Sequence, residues 1–146
     1  DAKGAKALQQ LLAQRSCLLT EVHLRRSDVD DDECRALCES LELNTASKLE
    51  VLDLSDNLIG QKEEVNEFNP DFQTGGEALG AMLSATSTLT VLDLSWNSIR
   101  GTSAKALASA VKKNATLTLL DLSHNRLDED GGDECGLPAC GCTGFS

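Results

Sequence analysis

Apolar positions recur along this chain at one fixed set of offsets. Leu49, Leu52, Leu54 and Ile59 define it, with Asn57 between the last two. Leu89, Leu92, Leu94, Asn97 and Ile99 repeat it, as do Leu117, Leu120, Leu122, Asn125 and Leu127. A degraded copy lies upstream at Leu19, Val22, Leu24, Ser27 and Val29. Alternation within each copy predicts a short strand. In Val51 to Ser55, Leu52 and Leu54 face one side, while Val51, Asp53 and Ser55 face the other. The Leu side is the core. The Asn stands where the chain turns out of the strand, and its amide can satisfy backbone groups that the turn leaves unpaired. Ser27 can do this only weakly, so the first turn is expected to be looser.

Helical spacing follows each strand. Ala104, Leu107, Ala110 and Val111 fall on one stripe, and Gly76, Leu79, Met82 and Leu83 repeat it. So do Cys34, Leu37, Ser40 and Leu41, and upstream Ala5, Leu8, Leu11 and Leu12. The first position of every stripe is small, which lets a helix lie close to its neighbour. One strand and one helix cannot bury their own apolar faces. Stacked units bury a continuous core and pair their strands in parallel.

The pattern L-x-x-L-x-L-x-x-N-x-L is the leucine-rich-repeat signature. The chain resembles the ribonuclease-inhibitor-like class of these repeats, a class also found in NOD-like receptors and in the Ran GTPase-activating protein. That resemblance implies an α/β fold: a right-handed leucine-rich-repeat solenoid with a parallel sheet on its concave face and helices on its convex face. Leu89 and Leu117 are 28 residues apart, Leu19 and Leu49 are 30 apart, and Leu49 and Leu89 are 40 apart. The longer interval carries an insertion of about twelve residues, placed at 61–74. Residues 1–130 thus read as a repeat domain of about four units. Residues 131–146 read as a Gly/Cys-rich tail, expected to be poorly ordered. The sequence opens inside a helical stretch (Ala5 to Gln14) and shows no polar cap at either end, so it reads as a stretch of a longer array.

Composition narrows the partners. A net charge of -11 disfavours nucleic acid and anionic membrane surfaces, which repel an acidic protein. No apolar run approaches the ~18 residues of a membrane span. Aromatic content of 3% predicts an aliphatic core. Of the six cysteines, Cys17, Cys34 and Cys38 lie in patterned elements, and Cys135, Cys140 and Cys142 crowd the tail. That is not a disulfide framework, and reduced thiols in a cytoplasmic protein are the simpler reading. Three tail thiols without a tail histidine do not complete a structural zinc site. No motif calls for a metal or a cofactor.

The strand positions between the Leu residues form ladders on the concave face: Glu21, Val51, Val91, Leu119; then His23, Asp53, Asp93, Asp121; then Arg25, Ser55, Ser95, Ser123. At the strand exits run Arg26, Asp56, Trp96 and His124. The Asp ladder reads either as a tolerated structural feature, with the neighbouring Ser hydroxyls donating to it, or as an acidic strip for a basic partner. Trp96 is the one Trp, and it reads either as an interface anchor or as a ring lying flat on the next coil. Phe68 and Phe72 of the insertion read either as tucked against the solenoid flank or as a partner-contacting lobe. Asp121, Ser123 and His124 do not make a catalytic triad, because Asp121 and Ser123 sit two apart on one strand with no oxyanion hole. The expected function is a non-catalytic protein-binding scaffold. Its partner-binding residues are Glu21, His23, Arg25, Asp53, Asp93, Trp96, Asp121 and His124, and its partner is a protein with a basic surface. The resemblance also leaves open a regulator of a small GTPase, similar to the Ran GTPase-activating protein, or a ligand-sensing segment of a NOD-like receptor.

Overall fold

In the computed structural model, which describes residues 2–69, 71–127 and 142–144, strands alternate with helices. The order is α1 (Ala2–Leu12), β1 (Glu21–His23), α2 (Asp31–Leu43), β2 (Val51–Asp53), α3 (Glu63–Phe68), α4 (Gly75–Ala85), β3 (Val91–Asp93), α5 (Gly101–Lys113), β4 (Leu119–Asp121) and β5 (Cys142–Gly144). Strands β1 to β4 are parallel and lie side by side in chain order. Their register sets Val22 beside Leu52, Leu52 beside Leu92, and Leu92 beside Leu120. β5 joins the far edge antiparallel, with Thr143 opposite Leu120. Most of the tail, including Cys135 and Cys140, lies outside the described residues, and so does the expectation that it is poorly ordered.

The helices cover one face of the sheet, with α4 packed between α2 and α5. Between the layers lie Leu52, Leu54, Ile59, Leu79, Met82, Leu83, Leu92, Leu94, Ile99 and Leu107, all essentially without solvent contact. Each such side chain contributes roughly 1.5–3 kcal/mol. The core is aliphatic, as the scarcity of aromatic residues requires. Cys34 and Cys38 are fully buried free thiols within it, acting as small apolar side chains. The stripe of α1 departs from expectation: Leu12 is buried but Leu11 is exposed, because no coil packs outside α1 among the described residues.

Asparagine closes every turn after β2, β3 and β4. Asn97 Oδ1 accepts from the Ile59 N–H at 3.1 Å, and its Nδ2 donates to the carbonyls of Leu54 and Leu94 at 3.0 and 3.1 Å. Asn57 bonds Val29 N–H and the carbonyls of Leu24 and Leu54 in the same way. Asn125 does so with Ile99 N–H and the carbonyls of Leu94 and Leu122. Each amide therefore satisfies its own turn and also ties that turn to the preceding coil. In the first turn, Ser27 Oγ makes one 3.5 Å bond, to the Arg25 carbonyl, and that turn contains two left-handed residues, Arg26 and Asp28.

Two of the helices, α2 and α4, start on reciprocal side-chain caps. Asp30 accepts from Asp32 and Glu33 N–H while Glu33 returns a bond to Asp30 N–H, and Thr74 and Glu77 make the same reciprocal pair on α4. The small first position of the α4 stripe is required by sterics. A Cβ on Gly76 would stand 2.3 Å from Ser103 Cβ of α5.

The insertion is built into the solenoid. Lys62 pairs with Asp30 and Asp32. The fully buried Asp31 carboxylate accepts from Gly60 N–H at 3.0 Å, Lys62 N–H at 3.0 Å and Gly75 N–H at 2.8 Å, so it clamps both ends of the segment. Glu63 is buried too. It accepts from the Thr102 hydroxyl and from Ser103 N–H and hydroxyl, and so caps α5, whose own N-cap residue, Arg100, makes no side-chain cap bond.

Replacing Asn97 by Ala strands the buried Ile59 N–H and removes one of two side-chain donors from the Leu54 and Leu94 carbonyls, which keep their bonds from Asn57 and Asn125. It is expected to destabilise the protein by about 3 kcal/mol, read as a lower urea midpoint at unchanged slope. A loss below about 1 kcal/mol would show that water substitutes freely for the amide. Replacing Asp31 by Ala should speed hydrogen exchange at Gly60, Lys62 and Gly75 well before that of Leu52 and Leu92. Equal acceleration across the sheet would mean that Asp31 holds the whole solenoid, not the insertion.

Candidate functional site

The sheet face turned away from the helices carries the residues that the sequence pattern assigned to it. Register places His23 beside Asp53, Asp53 beside Asp93, and Asp93 beside Asp121. The Asp side chains are half-buried and pre-oriented. Asp53 Oδ1 accepts from Ser55 N–H at 2.9 Å and from the Ser55 hydroxyl at 2.6 Å. Asp93 has the same pair from Ser95, at 2.9 and 2.7 Å, and Asp121 accepts from Ser123 N–H at 2.8 Å. Both readings of the ladder survive this geometry: the serines hold the carboxylates, and the carboxylates still line an open face.

At the β1 end the chemistry changes sign. His23 lies between two carboxylates, with Nε2 3.1 Å from Glu21 Oε2 and Nδ1 3.7 Å from Asp53 Oδ2. The Glu21 carboxylate holds its pKa above the ordinary 6.5; desolvation opposes that lift, and Asp53 adds a smaller contribution to it. Asp53 is moved the other way. Partial burial favours its neutral form, but the Ser55 hydroxyl and N–H and the His23 ring together hold it below the ordinary carboxylate value. Arg25 is exposed on the same strand's exit.

The strand-exit row is set by the backbone. Arg26, Asp56, Trp96 and His124 all have positive φ, between 54° and 58°, a region that non-glycine residues seldom adopt. This conformation recurs at the same place in every coil, so the four side chains project side by side. Arg26 Nε pairs with Asp56. The Trp96 indole stacks on the His124 imidazole, with ring centroids 3.8 Å apart and planes 16° apart. Trp96 thus lies on the next coil and still presents its other surface to solvent. His124 is committed to this stack and Asp121 to Ser123 N–H, so Asp121, Ser123 and His124 form no nucleophile–base relay.

The two insertion aromatics part company. Phe72 is half-buried, with the Arg35 guanidinium 5.7 Å from its ring centre. Phe68 is 86% exposed at the end of α3, so of the two readings of these rings, tucking against the flank fits Phe72 and not Phe68. The side chains that fix this segment, Asp31, Lys62 and Glu63, gave no sequence sign of their role. They sit in charged runs, and their bonding partners lie 29 to 44 residues away.

Residues 86–108 and 113–134 match the family described as "Leucine Rich repeat". Among curated proteins, no sequence gives a significant match. A solved structure titled "Leiomodin-1 Actin-Binding Site 2 (ABS2)" shares the fold with a TM-score of 0.63 and 22% sequence identity, over 88% of this chain. This chain spans 66% of that one, just under two thirds of its length.

His23 is expected to titrate above 6.5 in an NMR pH series, and its midpoint should fall towards 6.5 when Glu21 is replaced by Gln. A group whose folded pKa is raised contributes fully below its unfolded pKa and loses that contribution as pH rises through the folded value. The ion pair to Glu21 therefore weakens as pH rises through the folded pKa of His23. A midpoint at or below 6.5 in the native chain would remove His23 from the charged face.

Proposed function

We propose that this leucine-rich-repeat protein is a non-catalytic scaffold that binds a protein partner across the open face of its sheet. The observation that carries the reading is the carboxylate row of Asp53, Asp93 and Asp121, pre-oriented on rigid strands and left facing outward. Pre-ordered side chains lose little entropy on binding, and a single-sign strip steers an oppositely charged surface. The partner is accordingly a protein with a basic surface. Glu21, His23, Arg25, Asp53, Asp93, Trp96, Asp121 and His124 are its contacts, with Phe68 as an outlying apolar contact from the insertion. Among the described residues no helix is long and apolar enough to cross a membrane. The buried thiols at Cys17, Cys34 and Cys38 fit a reducing, cytoplasmic setting.

Two other partner classes are separated from this reading by direct assay. A small-GTPase regulator would accelerate phosphate release from a GTP-loaded GTPase. The leiomodin-1 structure carries an actin-binding site by its title, and co-sedimentation with actin filaments tests whether this chain does so too.

Replacing both Asp53 and Asp93 by Asn preserves size and removes two charges. Thermal unfolding should change little. Binding of a lysine-rich decapeptide, measured by calorimetry, should weaken by about fivefold or more, and its salt dependence should flatten. Unchanged affinity together with unchanged salt dependence would reduce the ladder to a structural feature.

A further inference from the structure

The strand-exit row offers a more specific recognition element than net charge. Read across the coils, it is cation, anion, indole, imidazole: Arg26, Asp56, Trp96, His124. Trp96 remains 55% exposed although one of its faces is covered by His124. Because β3 lies between β2 and β4, the covered face points toward β4, and the uncovered face turns toward the coil that carries Asp56. The ring is fixed on two counts. Its backbone is held in the left-handed region by the Asn97 turn, and its plane is set by the imidazole beneath it.

From this arrangement we infer that Trp96, braced by His124 and with Asp56 at the equivalent position of the adjoining coil, is a seat for an arginine side chain of the protein partner. The inference rests on the scaffold reading above and names the chemistry of one contact within it. A guanidinium is planar and weakly hydrated, stacks on an indole face, and offers in-plane N–H donors to a neighbouring carboxylate. An ammonium group can do the second but stacks poorly. The row already accepts a guanidinium from within the chain, since Arg26 pairs with Asp56 from its other side. Asp93, on the strand that leads into Trp96, adds the charge that draws a cation to this end of the face. The indole face is the element that distinguishes arginine from lysine.

The test compares two peptides of equal length and charge, five Arg-Ala repeats and five Lys-Ala repeats, titrated into the whole chain by calorimetry. The native protein should bind the arginine peptide about fivefold more tightly than the lysine peptide. Trp96→Leu should abolish that preference by weakening the arginine peptide more than the lysine peptide, and Trp96→Phe should restore part of it. The chain has one Trp and no Tyr, so its fluorescence reports this ring alone. The arginine peptide should shift the emission more than the lysine peptide does. Equal affinities in the native protein, or a preference that survives Trp96→Leu in a chain whose circular dichroism is unchanged, would overturn the seat and leave the acidic scaffold standing. Failure of both peptides to bind would sink the scaffold's basic partner as well.

Discussion

The carboxamide of Asn97 bonds to two coils at once, and the rest of the architecture depends on that geometry. A strand that must turn sharply out of a packed sheet leaves N–H and C=O groups pointing into an aliphatic interior. Left unpaired there, each would cost about 1–3 kcal/mol. The site needs one acceptor and at least two donors on a short side chain, and asparagine supplies that set. An aspartate would bring the acceptor but not the donors. Because Asn57, Asn97 and Asn125 reach the Leu24, Leu54 and Leu94 carbonyls of the coil before, each of these turns is positioned by its neighbour. The residue ahead of each Asn, at Asp56, Trp96 and His124, takes the left-handed region whatever its side chain, and Arg26 ahead of Ser27 takes it as well, so the conformation belongs to the turn as a whole.

The same constraint explains how a long insertion is tolerated. Between the second and third units the period lengthens, yet Asn97 still finds Ile59 N–H and the Leu54 carbonyl across it. The extra residues leave the stack and return to it between those bonds. Two buried carboxylates hold them there. Asp31, in the first turn of α2, meets three backbone N–H groups near a helix N-terminus, where a negative charge is favoured. Glu63 does the equivalent for α5, whose Arg100 start leaves the first amides without a cap. The insertion therefore repays its loop entropy by completing a neighbouring helix. What it leaves outside is Phe68, the largest exposed apolar surface of the segment.

Much of this was legible in the sequence, for a physical reason. A repeat enforced by one hydrogen-bonding solution writes the same residues at the same offsets, and period-two alternation then assigns each strand position to a face. The ladders at Asp53, Asp93 and Asp121 followed without ambiguity. Three kinds of feature were hidden. α3 spans six residues, too few to show a helical period, so it read as loop. The tasks of Asp31 and Glu63 depend on partners distant in sequence, and a carboxylate in an acidic run looks the same whether buried or solvated. Stacking of Trp96 on His124 depends on side-chain rotation, which spacing does not encode. Leu11 was assigned to the core because its helical spacing is correct, but spacing cannot say whether another coil covers that side.

The charge pattern of the open face runs in one direction. Adjacent carboxylates about 4.8 Å apart on neighbouring strands repel by roughly 1 kcal/mol in water and several-fold more at a partly buried surface. The serine donors to Asp53 and Asp93 offset part of this by fixing one oxygen of each, which leaves the ladder tolerable but still anionic. At β1 the ladder ends in His23, held toward its protonated form by Glu21 and followed by Arg25 and Arg26. The face is thus cationic at its first coil and anionic across the next three. A partner with a uniform basic surface would gain from three strands and lose at the fourth. A partner whose own charge reverses along its length gains everywhere, but only in one orientation. On the proposed scaffold reading, the sign change at His23 would give binding a direction, and the aromatic pair at the opposite end would give that direction a fixed point.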